Sequence, residues 1–210
     1  MQLVLASESP ARLGVLRAAG VAPVVQVSRV DEDALLAGLA HAEPERRVTA
    51  LAEAKADCVA GRLTGSPAED SIVIGCDSML LIDGDLAGKP GTADVARRRW
   101  AAMAGRDGHL VTGHALVRVR AGEVVGRAAG AALTRVRFAA PTQAELGAYI
   151  ASGEPLAVAG GFTLDGLGGW FVESIEGDPS NVIGISLPLT RRLLAQVGVS
   201  VVDIWAAPAT

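Results

Sequence analysis

The sequence predicts an α/β fold built on a mixed sheet with flanking helices. Segments typical of strands and helices alternate along most of the chain. Ile72-Val73-Ile74 is apolar at successive positions, as expected for a central strand covered on both faces. Residues 109–120 and 123–138 have the pattern of two long extended segments joined at Ala121-Gly122, which predicts an antiparallel hairpin. A purely parallel, doubly wound sheet fits this hairpin less well.

The first elements are a strand, a tight turn and a helix. Residues 2–6 form a short apolar run, and helical spacing follows from Pro10 to Gly20. Ser9 suits the N-cap, Pro10 the first helical position and Gly20 a left-handed stop. A strand that leads into a helix N-terminus beside hydroxyl groups is a general site for anions, because unpaired N–H groups and the helix dipole point the same way.

The second predicted helix covers residues 45–60 and carries a lysine on its apolar stripe. Lys55 stands four positions after Leu51 and four before Val59. Such a lysine either extends past the edge of the core or meets an anion in a cleft, and periodicity alone leaves both interpretations open.

The remaining pattern completes the alternation. The central strand, residues 71–77, continues through residue 82 to a turn at 83–85, and Thr142 and Glu145 form a capping-box pattern. We also expect helices from Thr92 to a stop at Gly105 and over 187–197, a glycine-rich loop at 159–169, strands at 170–175 and 199–205, and a flexible tail at 206–210.

Composition excludes several classes of protein. The 210 residues fit one domain or two small lobes sharing a core, and a net charge of −4 with 3% aromatic residues disfavours a nucleic-acid surface. No apolar stretch approaches the ~20 residues of a membrane span, and no secretory signal is visible, so we expect a cytoplasmic protein without membrane contact. Cys58 and Cys76 lie too far apart for a C-x-x-C motif, and we interpret both as small buried apolar residues.

Only two of the 19 basic residues are lysines, Lys55 and Lys89. A chain that otherwise uses arginine retains lysine where a compact point charge is needed. Gly88-Lys89-Pro90 does not continue as a P-loop, and Gly166-x-Gly168 lacks the third glycine of a dinucleotide fingerprint. Any phosphate site must therefore use another arrangement.

Two acidic positions are candidates for chemistry. Asp77 is predicted at the carboxyl end of the central strand, where it could orient a water, hold Mg²⁺ or simply cap a turn. Glu32, between Asp31 and Asp33, is either a second carboxylate of the site or part of a solvated acidic turn. With Arg12, Lys55 and Lys89, these carboxylates are typical of a nucleotide-hydrolysing site without a P-loop.

These residues lie in motifs that resemble the Maf family of nucleoside triphosphate pyrophosphatases over essentially the whole chain. The matching stretches, in order, are Leu5-Ala6-Ser7-x-Ser9-Pro10-x-Arg12, Asp31-Glu32, Leu51-Ala52-x-x-Lys55-Ala56, Gly75-x-Asp77-Ser78, Gly88-Lys89-Pro90, Thr112-Gly113, Gly153-Glu154-Pro155, Ala159-Gly160 and Gly177-Asp178-Pro179-Ser180-Asn181-Val182-x-Gly184.

The resemblance implies a single domain over residues 1–210, with a strongly curved mixed sheet shared by two lobes around a central cleft, as in inosine triphosphatases. It implies hydrolysis of the α–β phosphoanhydride of a nucleoside triphosphate with Mg²⁺ or Mn²⁺, and a possible homodimer. Asp77 would be catalytic and would hold the metal with Glu32. The positions that the resemblance assigns to substrate binding are Ser7, Arg12, Lys55, Lys89, Ser78 and Asp165.

The family resembled here has branches that prefer different nucleobases. Relatives that prefer pyrimidines usually carry arginine, threonine, lysine and glutamine where this chain has Ala11, Ser78, Val158 and Asp165. The acid at Asp165 is closer to the branch that prefers 7-methyl-GTP, whose cationic base a carboxylate favours. A nucleotide-binding regulator of cell division with little turnover is the alternative function. For the enzyme, we expect Lys55 and Lys89 to lie within ~10 Å of Asp77, the range of close charge coupling.

Overall fold

A computed structural model describes residues 1–206. Of the predicted tail, residues 207–210 therefore lie outside the described part of the chain. The strands are β1 Gln2–Leu5, β2 Val24–Val25, β3 Asp70–Ile82, β4 Asp85–Ala87, β5 Asp107–Arg120, β6 Glu123–Phe138 and β7 Val172–Glu176. The α-helices are α1 Pro10–Ala18, α2 Glu32–Gly38, α3 Pro44–Ala60, α4 Ser66–Glu69, α5 Ala93–Met103, α6 Gln143–Ala151, α7 Pro179–Ile183 and α8 Leu187–Gln196.

All seven strands belong to one mixed sheet. Its order is β2-β1-β3-β5-β6-β7, with β4 paired to β3 beside this path. Strand β1 pairs in parallel with β2 and β3, whereas the β3–β4 and β6–β7 pairs are antiparallel. The predicted mixed α/β class is confirmed. The strong curvature and the central cleft stay predictions.

The chain divides into two compact units. The first unit contains residues 1–77, 112–132 and 184–206, and the second contains residues 78–111 and 133–183. Strands β3, β5 and β6 each contribute residues to both units. Within residues 1–206, no helix has the length and apolar character that a membrane span requires.

In the first unit, alternate side chains along a strand pack in different apolar clusters on the two faces of the sheet. Leu3 and Leu5 of β1 pack in one apolar cluster with residues of α1 and α8. Val4 and Ala6 pack in a second cluster with residues of α3. Successive side chains of a strand point to opposite faces, so one short apolar run serves both clusters.

Side chains of strand β3 alternate in the same way, and this alternation decides on which face of the sheet Asp77 lies. Ile72, Ile74 and Cys76 belong to the cluster with α8, and Val73 belongs to the cluster with α3. Asp77 is four residues after Val73 and therefore lies on the face covered by α3.

Helix α3 contacts the backbone of the sheet directly. A Cβ added at Gly75 of β3 would lie 2.2 Å from the Ala52 carbonyl oxygen, and one at Gly113 of β5 would lie 2.2 Å from that of Val48. Only glycine fits at such separations. The two glycines set the depth and register of α3, which carries Lys55.

The second unit has an aromatic core. Trp100 is fully buried and meets Phe138, Tyr149 and Phe171 edge to face, with ring centroids 5.8–6.0 Å apart. Its indole Nε1 donates a hydrogen bond to the Gly161 carbonyl oxygen at 2.9 Å. The tryptophan thus connects α5 to the glycine-rich segment predicted at 159–169, which forms 3₁₀ turns over Ala159–Gly161 and Leu167–Phe171.

Three sequence-based expectations are corrected. The closing strand predicted at 199–205 is wrong, because Val201–Ile204 is a 3₁₀ helix whose start is closed by a reciprocal capping box between Ser200 and Asp203. Cys76 is buried, but Cys58 is only half-buried. The acidic turn at 31–33 opens a helix, since the Asp31 side chain caps α2 by accepting from the Ala34 amide.

Candidate active site

A buried ion pair between Lys55 and Asp77 lies at the centre of the candidate site. The Lys55 ammonium donates to Asp77 Oδ1 at 2.6 Å, and their side chains are 9% and 10% exposed. The close approach of α3 at Gly75, two residues before Asp77, brings the lysine onto this face of β3. Of the two interpretations left open for Lys55, the structure shows the one in which it meets an anion.

Glu32 completes a three-residue charge cluster in the first unit. Its Oε1 lies 2.9 Å from the Lys55 ammonium, and its side chain is 48% exposed. The first turn of α2 thus brings a half-exposed carboxylate to the same nitrogen that Asp77 contacts from the sheet. These contacts use two of the three ammonium donors.

The environment of Asp77 favours the protonated carboxyl more than water does. Burial raises its pKa, and the repulsive charge of Glu32 acts in the same direction. The charges of Lys55 and Arg12 and the hydrogen bond from Lys55 offset part of this increase. A carboxylate with a raised pKa is a stronger base than an exposed aspartate, which suits it to accept a proton from water. Burial also raises the pKa of the adjacent Cys76 thiol to about 11, so this thiol stays protonated at neutral pH.

Ser7 and Arg12 form a second polar group at the start of α1. The Arg12 guanidinium donates from Nη1 to Ser7 Oγ at 3.0 Å and from Nε to the Gly184 carbonyl oxygen at 2.8 Å. The Ser9 amide also donates to Ser7 Oγ, at 3.2 Å. Ser7 Oγ is an acceptor in both bonds, so its hydroxyl proton is directed elsewhere. Arg12 is within electrostatic range of Asp77, because its charge lowers the pKa of that carboxyl.

The position of Asp77 within its strand differs from the prediction. β3 continues without interruption to Ile82, so Asp77 is an interior residue of the strand and does not end it. The parallel pairing with β1 ends earlier, at Ile74. Asp77 therefore comes after the last β3 residue that pairs with β1, beyond the carboxyl end of the parallel pairing between these two strands.

Three predicted site residues belong to the second unit. Ser78 follows Asp77 in β3 and is half-buried, whereas Lys89 and Asp165 are exposed. The Lys89 ammonium makes no hydrogen bond or ion pair with any residue in the described range 1–206. The backbone on both sides of Lys89 is held, since the Gly160 amide donates to the Gly88 carbonyl oxygen at 3.1 Å and the Gly91 amide to that of Leu156 at 3.0 Å.

The structure thus brings together Asp77, Lys55 and Glu32, and separately Ser7 and Arg12. The expectation that Lys55 lies close to Asp77 is confirmed. The same expectation for Lys89 stays a prediction. Sequence reasoning missed the Gly184 carbonyl as the anchor of Arg12, although Gly184 closes one of the motifs quoted above.

The donor set is compatible with a hard divalent cation held together with substrate. Among residues 1–206 no group of three or more histidine, cysteine or carboxylate side chains could hold a metal alone. Mg²⁺ is commonly held by one or two carboxylates, with phosphate oxygens and water completing its shell. Asp77 and Glu32 supply two carboxylates that already approach one cationic nitrogen.

Comparisons with known proteins find relatives that match nearly the whole chain. Three relatives named nucleoside triphosphate pyrophosphatase come from Saccharopolyspora erythraea, Rhodococcus jostii and Mycolicibacterium gilvum, with identities of 61%, 63% and 55%. The alignments cover 97–99% of this chain and 96–99% of each relative.

Among solved structures, a nucleoside-triphosphatase titled dITP/XTP pyrophosphatase from Mycobacterium abscessus is 17% identical, with a TM-score of 0.37 over 66% of this chain and 74% of the other. The family assignment does not depend on this weak likeness. The model of the family described as Maf-like protein matches residues 2–197. The chain therefore belongs to the Maf family.

Proposed function

We propose that this protein is a nucleoside triphosphate pyrophosphatase, which hydrolyses the α–β phosphoanhydride to a nucleoside monophosphate and pyrophosphate. The observation that carries the proposal is the Lys55 ammonium held between the buried Asp77 and the half-exposed Glu32. The relatives named nucleoside triphosphate pyrophosphatase, which match this chain over nearly their whole length, support the same activity. Its role would be the clearance of non-standard nucleotides.

Asp77 acts as the general base in this proposal. Its carboxylate takes a proton from water as the water oxygen bonds to the α-phosphorus, and the bond from that phosphorus to the bridging oxygen breaks to release pyrophosphate. Burial raises the pKa of Asp77 and so strengthens it as a base. The Lys55 hydrogen bond fixes the orientation of the carboxylate, which holds the water for in-line attack.

The remaining residues bind the triphosphate. The hydroxyl proton of Ser7 and the third ammonium donor of Lys55 supply hydrogen bonds to phosphate oxygens, and Arg12 supplies positive charge beside them. Lys89, Ser78 and Asp165 of the second unit complete the substrate-binding set, with Lys89 on phosphate. We keep Asp165 as the residue that selects the base.

Asp77 and Glu32 would hold the divalent cation, Mg²⁺ or Mn²⁺. When bound, the cation supplies neutralisation of the phosphate charge and a template for the triphosphate. We also propose one domain over residues 1–210 with two lobes sharing the sheet, a cytoplasmic location, possible homodimers, and no binding to nucleic acid or membranes.

A substrate panel tests the activity. Purified protein is incubated with Mg²⁺ or Mn²⁺ and standard, methylated and deaminated nucleoside triphosphates, and pyrophosphate, orthophosphate and monophosphate are measured. We expect pyrophosphate and monophosphate in equal amounts, and a loss of at least about 10³ in kcat for Asp77→Asn, because the base is removed.

Asp94→Asn is the matched control, since the Asp94 side chain is 82% exposed on α5 and pairs only with Arg97 among residues 1–206. It should retain full activity. Tight binding without turnover across the whole panel would instead favour the nucleotide-binding regulator. Release of orthophosphate as the first product would contradict cleavage between the α- and β-phosphates.

A further inference from the structure

The carboxylate of Glu154 is bonded to residues 163–168, the second half of the glycine-rich loop 159–169. Its Oε1 accepts from Thr163 Oγ1 at 2.5 Å and from the Gly168 amide at 3.0 Å, and its Oε2 accepts from the Leu167 amide at 3.0 Å. The Gly168 amide also reaches Thr163 Oγ1, at 3.1 Å. One side chain thus connects the beginning of this segment to its end.

Two glycines of this loop are required by close packing. A Cβ added at Gly166 would lie 2.7 Å from Glu154 Oε2, so this glycine makes room for the carboxylate. A Cβ added at Gly168 would lie 2.5 Å from the Tyr149 hydroxyl and 2.6 Å from the Thr163 amide nitrogen. Neither glycine has a positive φ, so space and not backbone conformation requires them.

Glu154 is ionised in this arrangement. Burial alone would raise its pKa, but the hydrogen bonds from Thr163 and from the Leu167 and Gly168 amides more than offset burial and lower it. Hydrogen bonds from neutral donors to a carboxylate are worth more than bonds between neutral groups. The loop is thus held around a charged, half-buried group.

Asp165 lies in the middle of this closed loop and is exposed. The contacts of Glu154 are to residues on both sides of Asp165, two positions before it and two and three after it. We propose that Glu154 is a positioning residue for base selection, which fixes the loop so that the Asp165 carboxylate is presented to the nucleobase. This inference rests on the proposed function for the assignment of Asp165 to the substrate.

Glu154→Gln is the most informative change. The amide oxygen can still accept from Thr163 and Gly168, but the amide nitrogen then faces the Leu167 N–H, so one side of the loop is lost. Thr163→Val removes the hydroxyl from the other side and gives a second, independent variant. Glu173→Gln on β7 is the control, because its side chain is 57% exposed and forms an ion pair only with Arg137 among residues 1–206.

The first measurement compares kcat and KM for GTP, UTP and 7-methyl-GTP. In Glu154→Gln we expect the ratio of kcat/KM between 7-methyl-GTP and GTP to change at least about fivefold through KM, with kcat within about threefold, because loop position affects binding of the base more than chemistry. Asp165→Asn should change the same ratio. Adding Glu154→Gln to Asp165→Asn should change it no further, because Glu154 acts through Asp165.

The second measurement reports on the loop without activity. Trp170 is 85% exposed in the turn that begins at Leu167, whereas Trp100 is fully buried. In a Trp205→Phe background, a change in tryptophan fluorescence anisotropy therefore reports Trp170. The anisotropy should decrease in Glu154→Gln and Thr163→Val, because a released loop moves on the nanosecond timescale, but not in Glu173→Gln.

The outcomes separate the two proposals. An equal loss of kcat/KM for all three substrates, or unchanged anisotropy in both loop variants, would overturn the role of Glu154. If the wild-type protein releases no pyrophosphate, the proposed function fails, and the selectivity is then measured as the ratio of Kd values for the same triphosphates. A Kd ratio unchanged by Glu154→Gln would overturn the inference in that case too.

Discussion

The two units hold their single lysines in opposite ways. Lys55 of the first unit is 7% exposed and is fixed by two carboxylates. Lys89 of the second unit is exposed, and only the backbone around it is held by hydrogen bonds to Gly160 and Leu156. A buried, paired ammonium loses its side-chain entropy on folding, whereas an exposed one loses it when ligand binds. The Lys55 side chain is therefore fixed by the folded chain itself, whereas the Lys89 side chain keeps its rotamer freedom.

Removing the buried lysine should have the largest effect. Lys55→Met leaves Asp77 buried without its adjacent cation, and we expect a loss of about 3 kcal/mol in the free energy of unfolding and about 10³ in kcat. Urea unfolding and pyrophosphate release measure the two quantities.

Arg17→Met provides the control for Lys55→Met. Arg17 is an exposed cation in the last turn of α1, so its loss should change the free energy of unfolding by less than about 0.5 kcal/mol. Wild-type kcat in Lys55→Met would show that the buried charge cluster is not part of the catalytic machinery.

A change that pushes α3 away from the sheet should have the next largest effect on stability and activity. Gly75→Ala would place a Cβ 2.2 Å from the Ala52 carbonyl oxygen, so α3 must shift and carry Lys55 with it. We expect a loss of about 3 kcal/mol in the free energy of unfolding, together with reduced kcat. Gly14→Ala in α1 is the matched change, because no atom lies within 4 Å of its added Cβ. It should stabilise by up to about 1 kcal/mol. Equal stability of the two variants would contradict the close contact.

Removing the exposed lysine should have a smaller and different effect. Lys89→Met deletes a cation that has no partner within residues 1–206, so the free energy of unfolding should stay within about 0.5 kcal/mol of wild type. The proposed loss of one phosphate contact should raise KM about tenfold and leave kcat nearly unchanged. Steady-state kinetics at two salt concentrations measure this. If Lys89→Met destabilised the protein as much as Lys55→Met, the claim that the two units hold their lysines differently would be contradicted.

The smallest effect concerns pH and the loop around Glu154. Its pKa is lowered in the folded protein, so its hydrogen bonds contribute fully above the unfolded pKa of about 4.3 and are lost as pH falls through the lower folded value. In the Trp205→Phe background, we expect the tryptophan anisotropy to stay constant from neutral pH to about 4.3 and to decrease below it, as pH approaches the lower folded pKa of Glu154. Circular dichroism checks that the fold persists. An anisotropy that already decreases near pH 6 would assign the change to another group.

Local signals were sufficient for much of the fold. Ser9, Pro10 and Gly20 define the start and end of α1 as predicted, with Ser9 capping the Arg12 amide and Gly20 at φ +81. The β5–β6 hairpin turns at Ala121 and Gly122, both with positive φ. The strand predicted at 199–205 was wrong because its apolar pattern says nothing about whether a partner strand is available, and the capping box at Ser200 favours a turn.

The sequence by itself determined which residues are candidates for chemistry. The rare lysines, the acidic residues beside a central strand and the Ser-Pro start of α1 are all visible in its pattern. Only the tertiary structure decided which charges meet. Lys55 and Asp77 are 22 residues apart in the sequence. Arg12 and Gly184, whose carbonyl it contacts, are 172 residues apart. Such contacts depend on helix packing depth, set here by Gly75 against Ala52, which no local propensity encodes.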